Sequence, residues 1–207
     1  SYATSFGTKE FFGDEEEKKC VLRYLRTYDA LSVREKNSAI LYSRRLNRKV
    51  EWAIDPVFLV DKAAFFDMAQ MSKKYREGVK KDGVLGLFLD INEKLLSCFS
   101  DVVRRIKKHS YILLGEGFSN IENLDICDMD ADAGVYDFLM AIYSAEYVVT
   151  DSYHGMCFSI LFHKPFTVII NEARGRERFL SLLECLNLTE RSCEYKAMDN
   201  GVKIAEK

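Results

Sequence analysis

The 207-residue sequence predicts an α/β protein built on parallel sheets. Two observations carry that expectation. After Gly83, short β-branched or apolar runs alternate with longer amphipathic segments, the pattern of strands separated by crossover helices. Several of those runs end in small, polar or charged residues that lead directly into the next helix, as strands do at the ligand edge of a doubly wound sheet.

The elements follow in order. Ser1–Gly7 reads as a strand entered in mid-fold. Gly13-Asp14 opens a helix to about Tyr28, whose acidic first turn, Glu15–Glu17, opposes the positive end of the helix dipole. Ala30–Arg34 reads as a short strand, Asn37-Ser38 as the cap of a helix through Leu46, and Val50–Ile54 as the next strand, stopped by Asp55-Pro56. Residues 57–82 read as a helical connection whose charged stretch, Lys73–Glu77, faces solvent. Lys80-Lys81-Asp82-Gly83 marks the best domain boundary.

A second series runs strand 84–89, helix 92–107, strand 111–114 and a short strand near 124–126. Helix 135–144, strand 147–149, helix 155–162, strand 166–170 and helix 176–186 complete it. The acidic run Asp128–Asp132 lacks the glycine and distal glutamate of an EF-hand loop and reads as a solvated loop.

Composition narrows the function classes. Hydrophobic residues make up 48% and charged residues 30%, with a formal net charge of −2, so the overall field favours neither nucleic acid nor an anionic membrane. No apolar run approaches the ~20 residues needed to cross a bilayer. The six cysteines form no CxxC pair and suggest neither a zinc site nor a disulfide framework; they read as reduced thiols of a cytoplasmic protein.

The chemistry concentrates in Val148-Val149-Thr150-Asp151-Ser152-Tyr153-His154-Gly155. A strand ends here, small and polar residues turn the chain, and Gly155 admits it closely into an apolar helix. Backbone N–H groups at that helix start favour a phosphate or carboxylate. Ser152 offers a hydroxyl, and His154 an imidazole suited to passing a proton near neutrality. An N-cap and a surface histidine would give the same pattern. His109 and His163 read as structural positions.

Downstream, the strand ending at Ile170 leads into Asn171-Glu172-Ala173-Arg174-Gly175-Arg176-Glu177-Arg178. Three arginines at a strand-to-helix corner can hold a carboxylate or phosphate in bidentate fashion. A solvated helix start is the bland alternative, but the dipole disfavours arginine there. Arg34, in Ser32-Val33-Arg34-Glu35, leaves a strand just before a helix. It either pairs locally with Glu35 or Asp29 or faces a ligand.

Taken together, SYATSFG (1–7), DALSVREKNSA (29–39), VEWAIDPVFLV (50–60) and VVTDSYHGMCFSILFHKPFTVIINEARGRERFLSLLECLNL (148–188) resemble the polysaccharide pyruvyltransferase family. The resemblance is weakest between residues 61 and 134. It implies two Rossmann-like units in a GT-B-like arrangement, with the active site between them and the N-terminal unit incomplete. The implied domains are residues 1–60, a helical linker 61–82, and 83–207.

It also implies transfer of a pyruvyl group from phosphoenolpyruvate to two sugar hydroxyls as a cyclic ketal, with no cofactor and no metal. The acceptor would be a surface polysaccharide or its lipid-linked precursor, with peripheral proximity to the inner membrane. His154 takes the catalytic role; Ser152, Gly155, Arg34, Asn171, Arg174, Arg176 and Arg178 take substrate-binding roles. Some members carry arginine where this chain has Ser152, so another arginine must serve the donor. A GT-B nucleotide-sugar glycosyltransferase and a non-catalytic binding or assembly protein are the alternative readings.

Overall fold

A computed structural model of the chain describes residues 1–7, 13–73, 83–114, 128–130, 133–170 and 175–194. The chain divides into two compact units, Ser1–Leu59 with Asn171–Thr189, and Val60–Ile170 with Glu190–Lys207.

In the first unit, α1 (Glu15–Leu25) begins at a capping box in which Asp14 accepts the Glu17 N–H and Glu17 reaches back to the Asp14 N–H. Strands β1 (Ser32–Val33) and β2 (Glu51–Trp52) pair in parallel, and Thr4 adds a parallel bridge to Val33. The expected opening strand is thus reduced to that bridge. Helix α2 (Lys36–Leu46) follows β1 and buries Ser38, Ala39, Tyr42 and Leu46 along one face. These join Leu31, Val33 and Val50 in a small core, with Phe6 stacked on Tyr42 at 4.2 Å. Asn37 and Ser38 do not cap α2; the N-cap is Glu35, which makes no side-chain capping bond.

The second unit holds a six-stranded, all-parallel sheet. After a one-turn 3-10 helix at Pro56–Leu59 in the first unit, α3 (Lys62–Gln70) begins the second. The remaining elements are β3 (Val84–Phe88), α4 (Glu93–Ile106), β4 (Ser110–Leu114), β5 (Asp128–Asp130), α5 (Val135–Ser144), β6 (Tyr147–Thr150), α6 (Tyr153–Leu161), β7 (Phe166–Ile170) and β8 (Ser192–Glu194). Helix α7 (Arg176–Cys185) lies between β7 and β8 in sequence but belongs to the first unit.

The strand order is β5-β4-β3-β6-β7-β8. Renumbered within the unit it is 3-2-1-4-5-6, the order of a doubly wound dinucleotide-type sheet, with its switch point between β3 and β6. β3, β6 and β7 are buried along their whole length, as strands covered on both faces must be. Helix α4 covers one face through Leu95, Cys98, Phe99, Val102 and Val103, spaced i, i+3, i+4, i+7 and i+8.

Three expectations change. The described part of the acidic run, Asp128–Asp130, is the edge strand β5, paired with Tyr111–Leu113; an edge position tolerates residues that a central strand would not. The strand expected at 124–126 lies outside the described residues. Helix α3 packs against α5 within the second unit and is not a free linker; Ser72 at its end donates to Asp137 at 2.5 Å. Helix α7, expected in the 83–207 domain, packs on α2 through Lys36 N–H to Ser181 Oγ at 3.0 Å and Asn37 Nδ2 to Glu177 Oε2 at 2.7 Å.

Candidate functional site

The carboxyl ends of β3 and β6 meet at the switch point. Thr150, fully buried, donates its hydroxyl to the Leu87 carbonyl at 2.7 Å and accepts the Ser152 N–H at 2.9 Å. Asp151, only 2% exposed, accepts the N–H groups of Leu89 (2.7 Å) and Asp90 (3.1 Å). A carboxylate at that depth is tolerable because amide donors surround it. The β6–α6 corner is therefore tied by one side-chain bond of Thr150 to the end of β3 and by two of Asp151 to the β3–α4 loop. Asn92 stiffens the same loop by donating Nδ2 to the Asp90 carbonyl and accepting the Leu95 N–H.

Helix α6 starts two residues earlier than the sequence suggests. Ser152 is its N-cap, in extended conformation, and its Oγ accepts the Gly155 N–H at 3.3 Å. His154 consequently stands in the first helical turn and is exposed, its ring 5.7 Å from that of buried Tyr153. Gly155 has an ordinary helical backbone; what it supplies is space. A Cβ there would lie 2.6 Å from Thr150 Oγ1.

His109 and His163 are exposed too, so accessibility does not single out His154. Position does. His109 precedes β4 and His163 precedes β7, both at the amino edge of the sheet, whereas His154 follows β6 at the carboxyl edge where doubly wound sheets bind ligands.

In the first unit the Arg34 guanidinium pairs with the carboxylate of buried Asp55, rather than with Glu35 or Asp29. The Arg34 carbonyl accepts Trp52 Nε1–H at 3.0 Å, which holds the segment against β2. Glu35, fully buried, turns instead to Ser5 Oγ and to the N–H groups of Phe6 (3.3 Å) and Gly7 (3.1 Å).

Gly175, the N-cap of α7, sits at φ +80, where side chains are disfavoured, and a Cβ there would lie 2.8 Å from the Gly7 carbonyl oxygen. The loop at Gly7, the start of α2 and the start of α7 thus converge, which brings the Arg34 segment and the Arg176–Arg178 turn to one end of the unit. Arg176 and Arg178 are half-buried, and the Arg178 guanidinium lies 5.6 Å from the Phe179 ring centroid. Asn171 and Arg174 lie outside the described residues. Ser152, His154 and Gly155 belong to the second unit; Arg34, Arg176 and Arg178 belong to the first.

Sequence reasoning missed Thr150, Asp151, Glu35 and Asp55 as the residues that fix these corners. Their position between a strand end and a helix start was the available signal. Among the described residues no group of three His, Cys, Asp or Glu side chains is arranged to hold a metal ion.

No curated protein matches the chain closely enough for comparison. The family model for polysaccharide pyruvyl transferase matches residues 1–172, a span that takes in Arg34, the whole switch-point corner and His154. With that match covering most of its length, the chain belongs to the polysaccharide pyruvyl transferase family.

Proposed function

We propose that this protein transfers the pyruvyl group of phosphoenolpyruvate to two hydroxyls of a sugar in a surface polysaccharide or its lipid-linked precursor, forming a cyclic ketal. Membership of a pyruvyl transferase family supports the general reaction. The observation that carries the assignment of a catalytic group is the exposed His154 in the first turn of α6, beside the switch point of the 3-2-1-4-5-6 sheet.

The chemistry asks for a proton carrier and for partners to anionic groups. Protonation of the enol carbon of phosphoenolpyruvate generates an oxocarbenium-like centre. One sugar hydroxyl attacks it, phosphate leaves, and the second hydroxyl closes the ketal. His154 is the acid or base of this sequence, a role that contributes ~10²–10⁴-fold. Ser152 retains a hydroxyl proton to donate while its oxygen caps α6. Arg34, Arg174, Arg176 and Arg178, with Asn171, are the candidates for the donor's carboxylate and phosphate, standing in for an arginine at position 152. Arg34 already pairs with Asp55, so an anion there would share its guanidinium with a buried carboxylate. Two parallel α/β units in one chain are what a GT-B-like enzyme requires, and the reading uses no metal or cofactor and a cytoplasmic setting.

The test is phosphate release from phosphoenolpyruvate with candidate sugar or sugar-lipid acceptors. Thermal stabilisation by phosphoenolpyruvate, and not by nucleoside diphosphates, separates this reading from a nucleotide-sugar glycosyltransferase. Stabilisation by neither would favour a non-catalytic role.

A further inference from the structure

The edge of the second unit opposite His154 carries a basic surface that the proposed reaction does not use. At the amino ends of the strands, α4 runs out into Arg104, Arg105, Lys107 and Lys108, all exposed. Lys108 reaches Glu146, just before β6, at 3.1 Å. Beyond it, exposed Tyr143 packs against Phe66 (4.7 Å) and Phe162 (5.5 Å), and Lys164 Nζ lies 5.4 Å over the Tyr143 ring. Lys62 Nζ stands 3.4 Å from His163 Nε2. These residues lie along the amino edge of the second unit's sheet, a strip in which Lys108 is paired with Glu146 and Arg104 with Asp101.

Helix stability explains only part of the strip. Cations in the last turn of α4 complement its dipole. Lys62, however, is the first residue of α3, where a cation opposes the dipole. His163 closes α6 in a Schellman arrangement, with its N–H on the Ile160 carbonyl and the Lys164 N–H on the Ser159 carbonyl. It does so at φ +54, where glycine is the usual residue. Lys164 is half-buried, and burial pushes its pKa down, a situation that a nearby anion would relieve. The Schellman bonds account for the backbone of His163 and Lys164, but they do not call for cationic side chains at 62 and 164.

We propose that this amino edge docks on an anionic bilayer surface, with Lys62, Lys107, Lys108 and Lys164 facing lipid phosphates and Tyr143 seated at the headgroup level. Charge spread along a strip suits many headgroups better than one small anion. An amphipathic aromatic ring carrying a lysine is the combination that an interface rewards. Docking at this edge would leave the His154 corner, at the other end of the strands, open to solvent. The proposal stands independently of pyruvyl transfer.

The experiment is flotation of the purified chain with vesicles of phosphatidylcholine alone or mixed with phosphatidylglycerol, at low and moderate salt. Binding is expected only to the mixed vesicles and weakens as salt rises. Each lysine removed should lower partitioning about fivefold. Lys107→Glu with Lys164→Glu should therefore lower it well beyond tenfold, roughly, while Lys19→Glu with Lys49→Glu, the same charge change in the first unit, leaves it within about twofold. Thermal unfolding checks that each variant is folded; should the first pair unfold, Lys62→Gln and Tyr143→Ser read the same surface. No flotation with phosphatidylglycerol, equal losses in both pairs, or binding to single-stranded RNA without binding to vesicles would overturn the proposal.

Discussion

The carboxylate of Asp151 accepts the Leu89 N–H at 2.7 Å, tying the carboxyl end of β6 to that of β3 at the point where the strand order reverses. With the second bond from Asp90 N–H, it makes Asp151 the residue that holds the two walls of the switch point in register. Asp151→Ala removes the acceptor for two amides, one of the costlier losses for a buried group. The expected outcome is a loss of about 2–4 kcal/mol in urea unfolding, with Asp151→Asn intermediate because it keeps one acceptor oxygen. An unchanged midpoint for Asp151→Ala would show that the loop is held by other means.

Gly155 and Thr150 form a second pair that can be tested as a pair. Gly155→Ala places a methyl 2.6 Å from Thr150 Oγ1 and should destabilise by about 1–3 kcal/mol, an overpacking cost. In a Thr150→Ala background the obstructing oxygen is gone, so the same substitution should cost less. A double-mutant cycle measures the difference, and strict additivity would contradict the steric account.

These two corners show where the sequence was legible. The long periodic elements, α4, α5, β3, β6 and β7, declare themselves because each repeats its pattern over a full face. The corner at 150–155 could be read as a strand turning into a helix. What could not be read were the edge strands and the distant partners. β1 and β2 fall within the strands expected at 30–34 and 50–54 but are only two residues each, whereas β5 hides in an acidic run because an edge strand need not be apolar. Asp151 meets Leu89 across 62 positions, and Arg34 meets Asp55 across 21, so neither bond leaves a local trace. The N-cap alternative weighed for this corner holds for Ser152, whose Oγ accepts the Gly155 N–H at the start of α6.

In the first unit, Glu35 gathers Ser5, Phe6 and Gly7 around a carboxylate with no exposure to solvent. Glu35→Ala strands those donors and should loosen the loop at Ser5–Gly7. The measurable result is faster proteolysis at that loop and a loss of about 2–4 kcal/mol in stability. Glu35→Gln, which keeps an acceptor oxygen, should recover part of both.

Cys98 offers a pH test. Burial pushes its thiol up to about 12 from an ordinary value of 9.0. At pH 8 on the order of one Cys98 in ten thousand is then a thiolate in the folded protein, so iodoacetamide should spare it while labelling exposed Cys20 and Cys185. The sign of the linked effect follows. Between pH 9 and 12 the unfolded chain ionises this thiol and the folded chain does not, so its contribution to stability is complete below pH 9 and is lost as pH rises toward 12. Rapid alkylation of Cys98 in the native state would contradict this.

The central claim is that His154 moves a proton in a pyruvyl transfer. The direct measurement compares wild-type protein and His154→Ala for acceptor-dependent release of phosphate from phosphoenolpyruvate, with donor affinity followed separately. The account predicts that kcat falls by about 10²–10⁴-fold while phosphoenolpyruvate binds with nearly unchanged affinity, the signature of a group acting in the transition state. A His154→Ala protein that is folded and turns over at the wild-type rate would contradict it.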